Sequence, residues 1–460
     1  MGRRGLWGAV AATVLVGAVA LDGVDAPAVA AGGHGPRTER VNTAPDGSEA
    51  AGGGSFNAAI SPDGRYVAFD SGADNLVPGD DNDGPLVHDV FLRDRRTGTL
   101  RRINAPLGPG NADFATISAD SRYVAFNAET GGQYHVHVYE IRTGRLERAD
   151  LDLDAGFTGA ETPSLSADGR YVAFLGLQAT VPPAQADFGR VYVRDRKTGT
   201  TRRASRVPAK EGRGYDSPRI SADGSKVAYR ERSRRGGGPG GERDWADIYL
   251  ADLRTGEQRQ IDTTADGRPA TSGSTDPLIS ADGRTVAFNS SAENIVPVPD
   301  EARSYVFVRD TRTGAVRRVD GIGGNQYATA DAISPDGRRL VLRYSGVEYG
   351  LYVKDLRTGK DTLASPGTDG KPRAATAGPD AMTPDGRAVV FESHLADLVD
   401  GDTNHETDVF LRHVRRGAAA SRTQPAAKTR SYAARPHAPQ VTKRDRCPSG
   451  SCRDGGGRRP

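Results

Sequence analysis

Two short acidic stretches contain the side chains in this sequence best suited to binding a metal ion. The first, NLVPGDDNDGPLVHDVF, begins at residue 75, and the second, DLVDGDTNHETDVF, begins at residue 397. Their candidate ligands share a carboxylate or amide oxygen: Asp80, Asn82, Asp89, Asp402, Asn404, Glu406 and Asp408. A hard cation such as Ca²⁺ takes six to eight oxygen ligands, so the pattern predicts structural calcium. The same residue types also form solvated turns, and that alternative stays open.

Catalytic chemistry is less well supported by the residue types. His135 and His137 flank one residue of a predicted strand and so share a face, but a zinc-like site needs three or four ligands. His88 and His405 lie in the acidic stretches and are the other candidates. The sequence contains no G-x-S-x-G motif of a nucleophilic serine. We therefore assign no catalytic residue and no organic cofactor.

The elements that must position these residues come from a repeat. The phrase ISPDGRYVAF at residue 60 returns in similar form at residues 117, 165, 220, 279, 333 and 382. Its Asp-Gly pair predicts a tight turn, and the residues after the turn are apolar on both faces of a strand. A second hairpin with a Thr-Gly turn follows, as in DVFLRDRRTGTLRRI at residue 89. Each repeat is therefore predicted to form four antiparallel strands.

Seven such repeats predict an all-β fold, a seven-bladed β-propeller of four-stranded antiparallel blades spanning residues 37–414. The seventh copy lacks its fourth strand, and residues 38–43, TERVNT, resemble the fourth strands of the other copies. We expect this N-terminal strand to join the last blade and close the ring. The joins between hairpins vary in length, and we expect them to form the binding face.

The S-P-D-G-[RK]-x-[VIL]-A-F phrase and the Thr-Gly hairpin after it resemble the TolB-type propeller repeat, which is related to the WD-type blade. The resemblance covers residues 38–414 and implies a propeller platform rather than one chemistry. Related blades occur in the periplasmic TolB component, in prolyl-oligopeptidase-type peptidases and in some polysaccharide lyases. Because the sequence has no hydrolase-sized segment outside the repeats, we exclude the peptidase function.

The two ends of the sequence differ from the repeats. Residues 1–31 have two arginines, a short apolar run and an Ala-x-Ala site, which is typical of a bacterial secretory signal peptide. We therefore expect a secreted protein, extracellular or at the cell envelope, with no transmembrane span after cleavage. Residues 415–460 contain twelve Lys or Arg against two acids and are predicted to be a disordered basic tail. This tail either stays solvated or touches an anionic envelope surface.

Two functions remain open. The first is a non-enzymatic scaffold that binds a protein or glycan ligand on the variable-loop face. The second is a secreted propeller enzyme, most plausibly a metal-dependent polysaccharide lyase with His and acidic residues around the central axis. Nucleic-acid binding is excluded because the repeat region is acidic. The sequence favours the scaffold. Cys447 and Cys452 lie in the tail and have no assigned role.

Overall fold

The computed structural model describes residues 36–80, 87–178, 189–206, 213–235, 243–296, 304–322, 327–345 and 349–414. Within these ranges the chain forms 27 β-strands and one short 3-10 turn at Ala105–Leu107. The strands make seven antiparallel sheets, six with four strands and one with three. The predicted all-β, seven-bladed propeller is confirmed. The predicted signal peptide (1–31) and basic tail (415–460) lie outside the described residues.

Blades 1 to 6 each use four consecutive strands, numbered from the innermost outward. Blade 1 contains β2 (Ser55–Ile60), β3 (Tyr66–Ser71), β4 (Asp89–Asp94) and β5 (Thr99–Arg102). Blade 2 contains β6 (Ala112–Ile117), β7 (Tyr123–Thr130), β8 (Gln133–Glu140) and β9 (Leu146–Arg148). Blade 3 contains β10 (Phe157–Leu165), β11 (Tyr171–Gln178), β12 (Arg190–Asp195) and β13 (Thr200–Arg203). Blade 4 contains β14 (Arg213–Ile220), β15 (Lys226–Arg235), β16 (Arg243–Asp252) and β17 (Gln258–Gln260). Blade 5 contains β18 (Ser274–Ile279), β19 (Thr285–Ser290), β20 (Tyr305–Asp310) and β21 (Val316–Val319). Blade 6 contains β22 (Ala328–Ile333), β23 (Arg339–Tyr344), β24 (Gly350–Asp355) and β25 (Asp361–Leu363). Blade 7 contains β26 (Ala388–Ser393), β27 (Asp408–His413) and β1 (Arg37–Arg40).

The repeated phrase forms its turn through a small set of hydrogen bonds. In blade 1 the Ser61 hydroxyl donates to Asp63 at 2.6 Å and accepts the Tyr66 amide at 2.8 Å. Gly64 has φ 70°, a left-handed conformation that costs glycine nothing. The Ser-x-Asp-Gly sequence therefore fixes the link between the two inner strands, and its repetition gives each blade the same start.

The strand after this turn is buried on both faces because each blade is packed between two others. Val67 and Phe69 belong to the apolar cluster shared with blade 7, whereas Ala68 belongs to the cluster shared with blade 2. Phe69 stacks on Phe91 of the next strand with ring centres 5.7 Å apart. These buried contacts explain why the phrase is apolar at consecutive positions.

Ring closure occurs where the repeats predicted it. Strand β1 pairs antiparallel with β27, and Arg40 lies opposite Phe410. Beyond the strand, the Val41 amide donates to the Val409 carbonyl oxygen at 2.8 Å. The Asn42 side chain then donates to Asp408 at 2.7 Å and accepts the Val409 amide at 3.0 Å. The N-terminal strand is thus the outer strand of blade 7.

The innermost segment of blade 7 departs from the other six. It pairs with β26 only through two isolated bridges, at Thr376 and at Met382. Gly378 and Pro379 lie between them, and proline has no amide hydrogen to donate to a ladder. The interruption leaves an irregular wall on the inner side of blade 7. In the described part of the chain, no helix is long and apolar enough to cross a membrane.

Candidate binding site at the channel mouth

The inner strands of all seven blades converge on one central channel. At the end near the Ser-x-Asp-Gly turns they surround a cavity of about 130 Å³. The first residue of the repeated phrase lines it in every blade: Ile60, Ile117, Leu165, Ile220, Ile279, Ile333 and Met382. Only two ionisable residues, Arg219 and Asp380, are among the described residues lining this cavity. This end of the channel is therefore narrow and mostly apolar.

The opposite end of the channel, here called the mouth, is lined by residues of variable type. They come from the position that directly follows the ten-residue phrase: Asp70, Asn127, Leu175, Arg230, Asn289, Arg343 and Glu392. In the facing inner strands, Asp113 lies opposite Asn127 and Asp216 lies opposite Arg230. The phrase thus fixes the blade, and the next residue varies the chemistry of the mouth.

Several of these side chains join neighbouring blades. The innermost strands of blades 1 to 5 contain a β-bulge with one residue in the left-handed conformation: Asn57, Phe114, Thr162, Ser217 and Asp276. A bulge leaves a backbone amide without its ladder partner. Glu392 of blade 7 accepts the Ala58 amide of blade 1 at 3.0 Å. Asn289 of blade 5 likewise accepts the Ala330 amide of blade 6 at 2.8 Å.

One side of the mouth carries four carboxylates, which we call the acidic arc: Glu392, Asp70, Asp113 and Glu161 from blades 7, 1, 2 and 3. Among the described residues none of the four forms an ion pair with Arg or Lys; Asp70 contacts His88 Nδ1 at 3.0 Å. The His88 ring lies flat against Phe56, with ring centres 5.5 Å apart and planes 1° apart. The arc therefore has excess negative charge.

The pKa values of the acidic arc reflect this crowding. Burial, together with the charge of Asp70, raises the pKa of Glu392 to about 7. Burial likewise raises the pKa of Asp113 to about 6, with contributions from Asp70 and Glu161. Burial also raises the pKa of Asp70 and of Glu161. The hydrogen bond to Asp70 raises the pKa of His88, because it favours the imidazolium.

The other side of the mouth pairs its carboxylates with arginines. Arg230 binds Asp216 through two hydrogen bonds of 2.6 and 2.7 Å. Arg343 contacts Asp331 at 3.2 Å. Two-point guanidinium–carboxylate contacts such as the first are among the stronger charged hydrogen bonds. The mouth is therefore electrostatically asymmetric, with the negative side on blades 7, 1, 2 and 3.

A pocket of about 550 Å³ opens beside the irregular inner segment of blade 7. It lies between blades 6, 7 and 1 and is lined by aromatic, charged and hydroxyl-bearing side chains, among them Phe56, Tyr344, Tyr349, Arg343, Glu392, His394 and Ser393. Tyr349 is 46% exposed. The size and the mixture of aromatic and polar groups are typical of a small-ligand or side-chain binding site.

The predicted calcium ligands of blade 1 are placed around an arginine. Arg102 contacts Asp80 at 3.2 Å and Asp89 at 3.1 Å, and Asn104 also donates to Asp89. Burial, together with the neighbouring Asp89, raises the pKa of Asp80 to about 7. Asn82 lies outside the described residues.

Blade 7 repeats this arrangement with Arg40 in place of Arg102. Arg40 contacts Asp408 at 3.2 Å and Asp402 at 3.8 Å. Asn404 donates to Asp408 at 3.1 Å, and its side-chain oxygen accepts the Glu406 amide at 3.0 Å. The two predicted acidic sites are therefore equivalent corners of neighbouring blades, each with a guanidinium between its carboxylates.

No group of three or more His, Cys, Asp or Glu side chains in the described ranges is arranged to hold a metal ion. Calcium thus gains no support from these residues, and the ligand set that includes Asn82 stays a prediction. The candidate histidines of blade 2 are buried: His135 contacts Asp150 at 2.8 Å, and His137 stacks on Phe126. His405 is exposed on the blade 7 loop.

The acidic arc was not identified from the sequence. One available signal was the residue after each repeated phrase, which changes between Asp, Asn, Leu, Arg and Glu while the phrase itself hardly changes. A variable, mostly polar residue directly after an apolar strand departs from the pattern of a buried strand, although Asp70, Asn127 and Asn289 are themselves buried. Phe56, Asp113 and Glu161 share a second position, five residues before the serine of the phrase.

The fold and this site define a seven-bladed β-propeller with a pocket of mixed aromatic and polar lining at one mouth. No protein-family model and no curated protein matches the sequence. Solved structures do match. An oligogalacturonate lyase in complex with manganese has a TM-score of 0.54 and 17% identity, over 82% of this chain and 93% of that chain. An oligogalacturonate lyase from Vibrio parahaemolyticus gives a TM-score of 0.54 and 16% identity over the same shares.

The TolB of Acinetobacter baumannii is also similar, with a TM-score of 0.38, 17% identity and coverage of 66% of this chain and 61% of that chain. The seven antiparallel sheets of this chain confirm the propeller fold that the resemblance to TolB-type repeats implies. At such low identity these similarities show the propeller architecture alone.

Proposed function

We propose that the protein is a secreted, non-enzymatic propeller that binds a protein or glycan ligand at the cell envelope through the mouth of its channel. The observation that carries this proposal is the pocket of about 550 Å³ between blades 6, 7 and 1. It is continuous with the acidic arc, because Glu392 and Phe56 border both. Rigid strands hold these side chains, so the site is formed before a ligand arrives.

The chemistry of the pocket suits recognition rather than bond cleavage. Tyr349 and Phe56 offer flat apolar surfaces, and Arg343 and Glu392 offer opposite charges at separate points of the wall. Such a combination orients a ligand with one apolar face and polar edges, as a sugar ring or a peptide side chain has. Burial of aromatic surface would supply most of the binding free energy.

The alternative is a metal-dependent polysaccharide lyase or another secreted propeller enzyme. One similar structure is a lyase in complex with manganese, which concerns that protein. A corresponding centre here would need several His or carboxylate ligands directed at one point, and the described residues contain no such group. The lyase function therefore ranks second.

Export by residues 1–31 and a solvated basic tail at 415–460 are further parts of the proposal.

The proposal is tested by capture of envelope components with the mature wild-type protein and by measurement of the affinity for each purified ligand. Tyr349→Ala and Arg343→Ala are the test variants, and Arg96→Ala, an exposed arginine at the opposite end of blade 1, is the matched control. We expect each test variant to weaken binding about tenfold or more, with the control unchanged. Equal affinity in all four proteins would contradict the proposal.

A further inference from the structure

The acidic arc has two buried oxygen atoms that need a donor. Asp70 is fully buried and Asn127 is 1% exposed. Within the described structure, Asp70 Oδ1 and Asn127 Oδ1 have no hydrogen-bond partner of ordinary length, although the Asn57 side chain and the Phe114 amide lie near Asp70. Both atoms are acceptors at equivalent positions of neighbouring blades. A buried acceptor without a donor costs free energy that a donating ligand would recover.

Asp70 lies near the mouth end of β3, so the missing hydrogen-bond donor is missing at the mouth end of the channel. Asp70 belongs to blade 1, which lies between Glu392 of blade 7 and Asp113 of blade 2, and its charge raises the pKa of both. Glu161 extends the same row to blade 3 through its effect on Asp113. His88 is the only cationic group of the described chain in contact with the row, and it binds the other oxygen of Asp70. Asp113 and Glu392 accept hydrogen bonds from Asn127 and from the Ala58 amide, so the arc lacks a donor only at the two unpaired oxygens, and it has little positive charge to balance its carboxylates.

An aromatic side chain stands beside the arc. Phe114 follows Asp113 in the bulge of β6 and is 47% exposed, which is unusual for phenylalanine. Phe56, on the neighbouring blade, is half-buried against His88. Exposed aromatic faces next to carboxylates form the common surroundings of a bound guanidinium or ammonium group, because the ring face attracts a cation.

We propose that the acidic arc is a subsite for an arginine or lysine side chain of a partner protein. The cation pairs with Asp113 and Glu161, which are partly exposed, and lies against Phe114, while the unpaired oxygens of the buried Asp70 and Asn127 add negative potential behind them. This inference rests on the proposed binding function and names the ligand group that the mouth selects. Arg230 and Arg343 fill the corresponding role within the chain on the opposite side, where they pair with Asp216 and Asp331.

The test uses the full chain and isothermal titration calorimetry with acetyl-hexaarginine amide, with acetyl-hexaglutamine amide as the neutral probe. The double variant Asp113→Asn with Glu161→Gln keeps the shape of the arc and removes two charges. Asp266→Asn, an exposed carboxylate on the turn before blade 5, is the matched control. We expect the arginine peptide to bind wild type and Asp266→Asn alike, and the double variant about tenfold more weakly.

The neutral peptide should not bind. If hexaarginine does not bind at about 1 mM, or if Asp266→Asn weakens it as much as the double variant does, the inference is wrong. Melting curves of the variants show whether each one is folded, and the wild-type comparison of the two peptides does not depend on any variant. A captured envelope ligand could bind the double variant as tightly as wild type and bind Tyr349→Ala more weakly. That result would contradict the cation subsite and still support the proposed function.

Discussion

The amide of Val41 donates a 2.8 Å hydrogen bond to the carbonyl oxygen of Val409, so the two ends of the repeat region meet in a single sheet. This contact makes blade 7 from segments more than 360 residues apart. Blade 7 is also the blade whose inner segment is irregular and whose side contains the pocket. Ring closure and the binding site therefore depend on the same blade.

We expect Asn42 to stabilise blade 7 as much as Asn104, the equivalent residue of blade 1, stabilises that blade. Asn42 accepts the Val409 amide and donates to Asp408, and Asn104 accepts the Val90 amide and donates to Asp89. We expect Asn42→Ala and Asn104→Ala each to lower the free energy of unfolding by about 1–3 kcal/mol, because buried partners lose their bonds. Urea unfolding measures both. A loss in Asn104→Ala without a loss in Asn42→Ala would show that the closing strand is not docked.

Glu392 should make the fold less stable as the pH rises. Its pKa is about 7 in the folded protein against 4.5 as the ordinary value, so the folded state binds a proton that the unfolded state has released between these pH values. The free energy of unfolding therefore falls as the pH rises from 4.5 through 7. The charge of Asp70 contributes to this shift, and the Thr376 hydroxyl and the Ala58 amide donate hydrogen bonds to Glu392.

Glu392→Gln keeps the acceptor for the Ala58 amide and removes the charge. We expect it to raise the Tm at pH 8 by roughly 2 °C and to reduce the difference in Tm between pH 5 and pH 8. Glu257→Gln, at an exposed turn, is the control and should leave the difference unchanged. If the Tm of wild type and of Glu392→Gln changed equally between pH 5 and pH 8, the raised pKa assigned to Glu392 would be wrong.

We expect Arg102, rather than a metal ion, to balance the charge of Asp80 and Asp89 at the acidic corner of blade 1. It lies within 3.2 Å of both Asp80 and Asp89, where a calcium ion would otherwise balance their charge. We expect EDTA to leave the wild-type melting curve unchanged and Arg102→Gln to lower the free energy of unfolding by about 3 kcal/mol, since removal of one partner leaves buried charge unpaired. A lower Tm in EDTA that added Ca²⁺ restores would instead support the calcium prediction.

The repeats allowed the blades and the closure to be predicted because both depend on local rules. The Ser-x-Asp-Gly turn recurs in five copies, with Ser121 in place of glycine in blade 2 and Thr383 in place of serine in blade 7, and the two-faced apolar strand follows it in every copy. TERVNT resembles the other outer strands closely enough to reveal its place. The irregular inner segment of blade 7 has a local cause as well, since Gly378 and Pro379 interrupt the pattern.

The site was harder to predict because it depends on distances between blades. Asp80 and Asp89 look like metal ligands in sequence, and only the structure shows Arg102, from the outer strand, between them. Glu392 and Asp70 are 322 positions apart, yet they influence each other because blades 7 and 1 are neighbours. A single sequence without an alignment does not show which polar residues of separate repeats face the same space.

The central claim is that ligand binds at the channel mouth, where the pocket between blades 6, 7 and 1 meets the acidic arc, and hydrogen–deuterium exchange tests it most directly. The exchange of wild-type protein is compared with and without a captured envelope ligand at saturation. We predict slower exchange in Ser55–Ile60, Ala112–Ile117 and residues 374–382, with no change at the Thr-Gly turns such as 95–98. Protection confined to the Thr-Gly turns, at the other end of the channel, would contradict the claim.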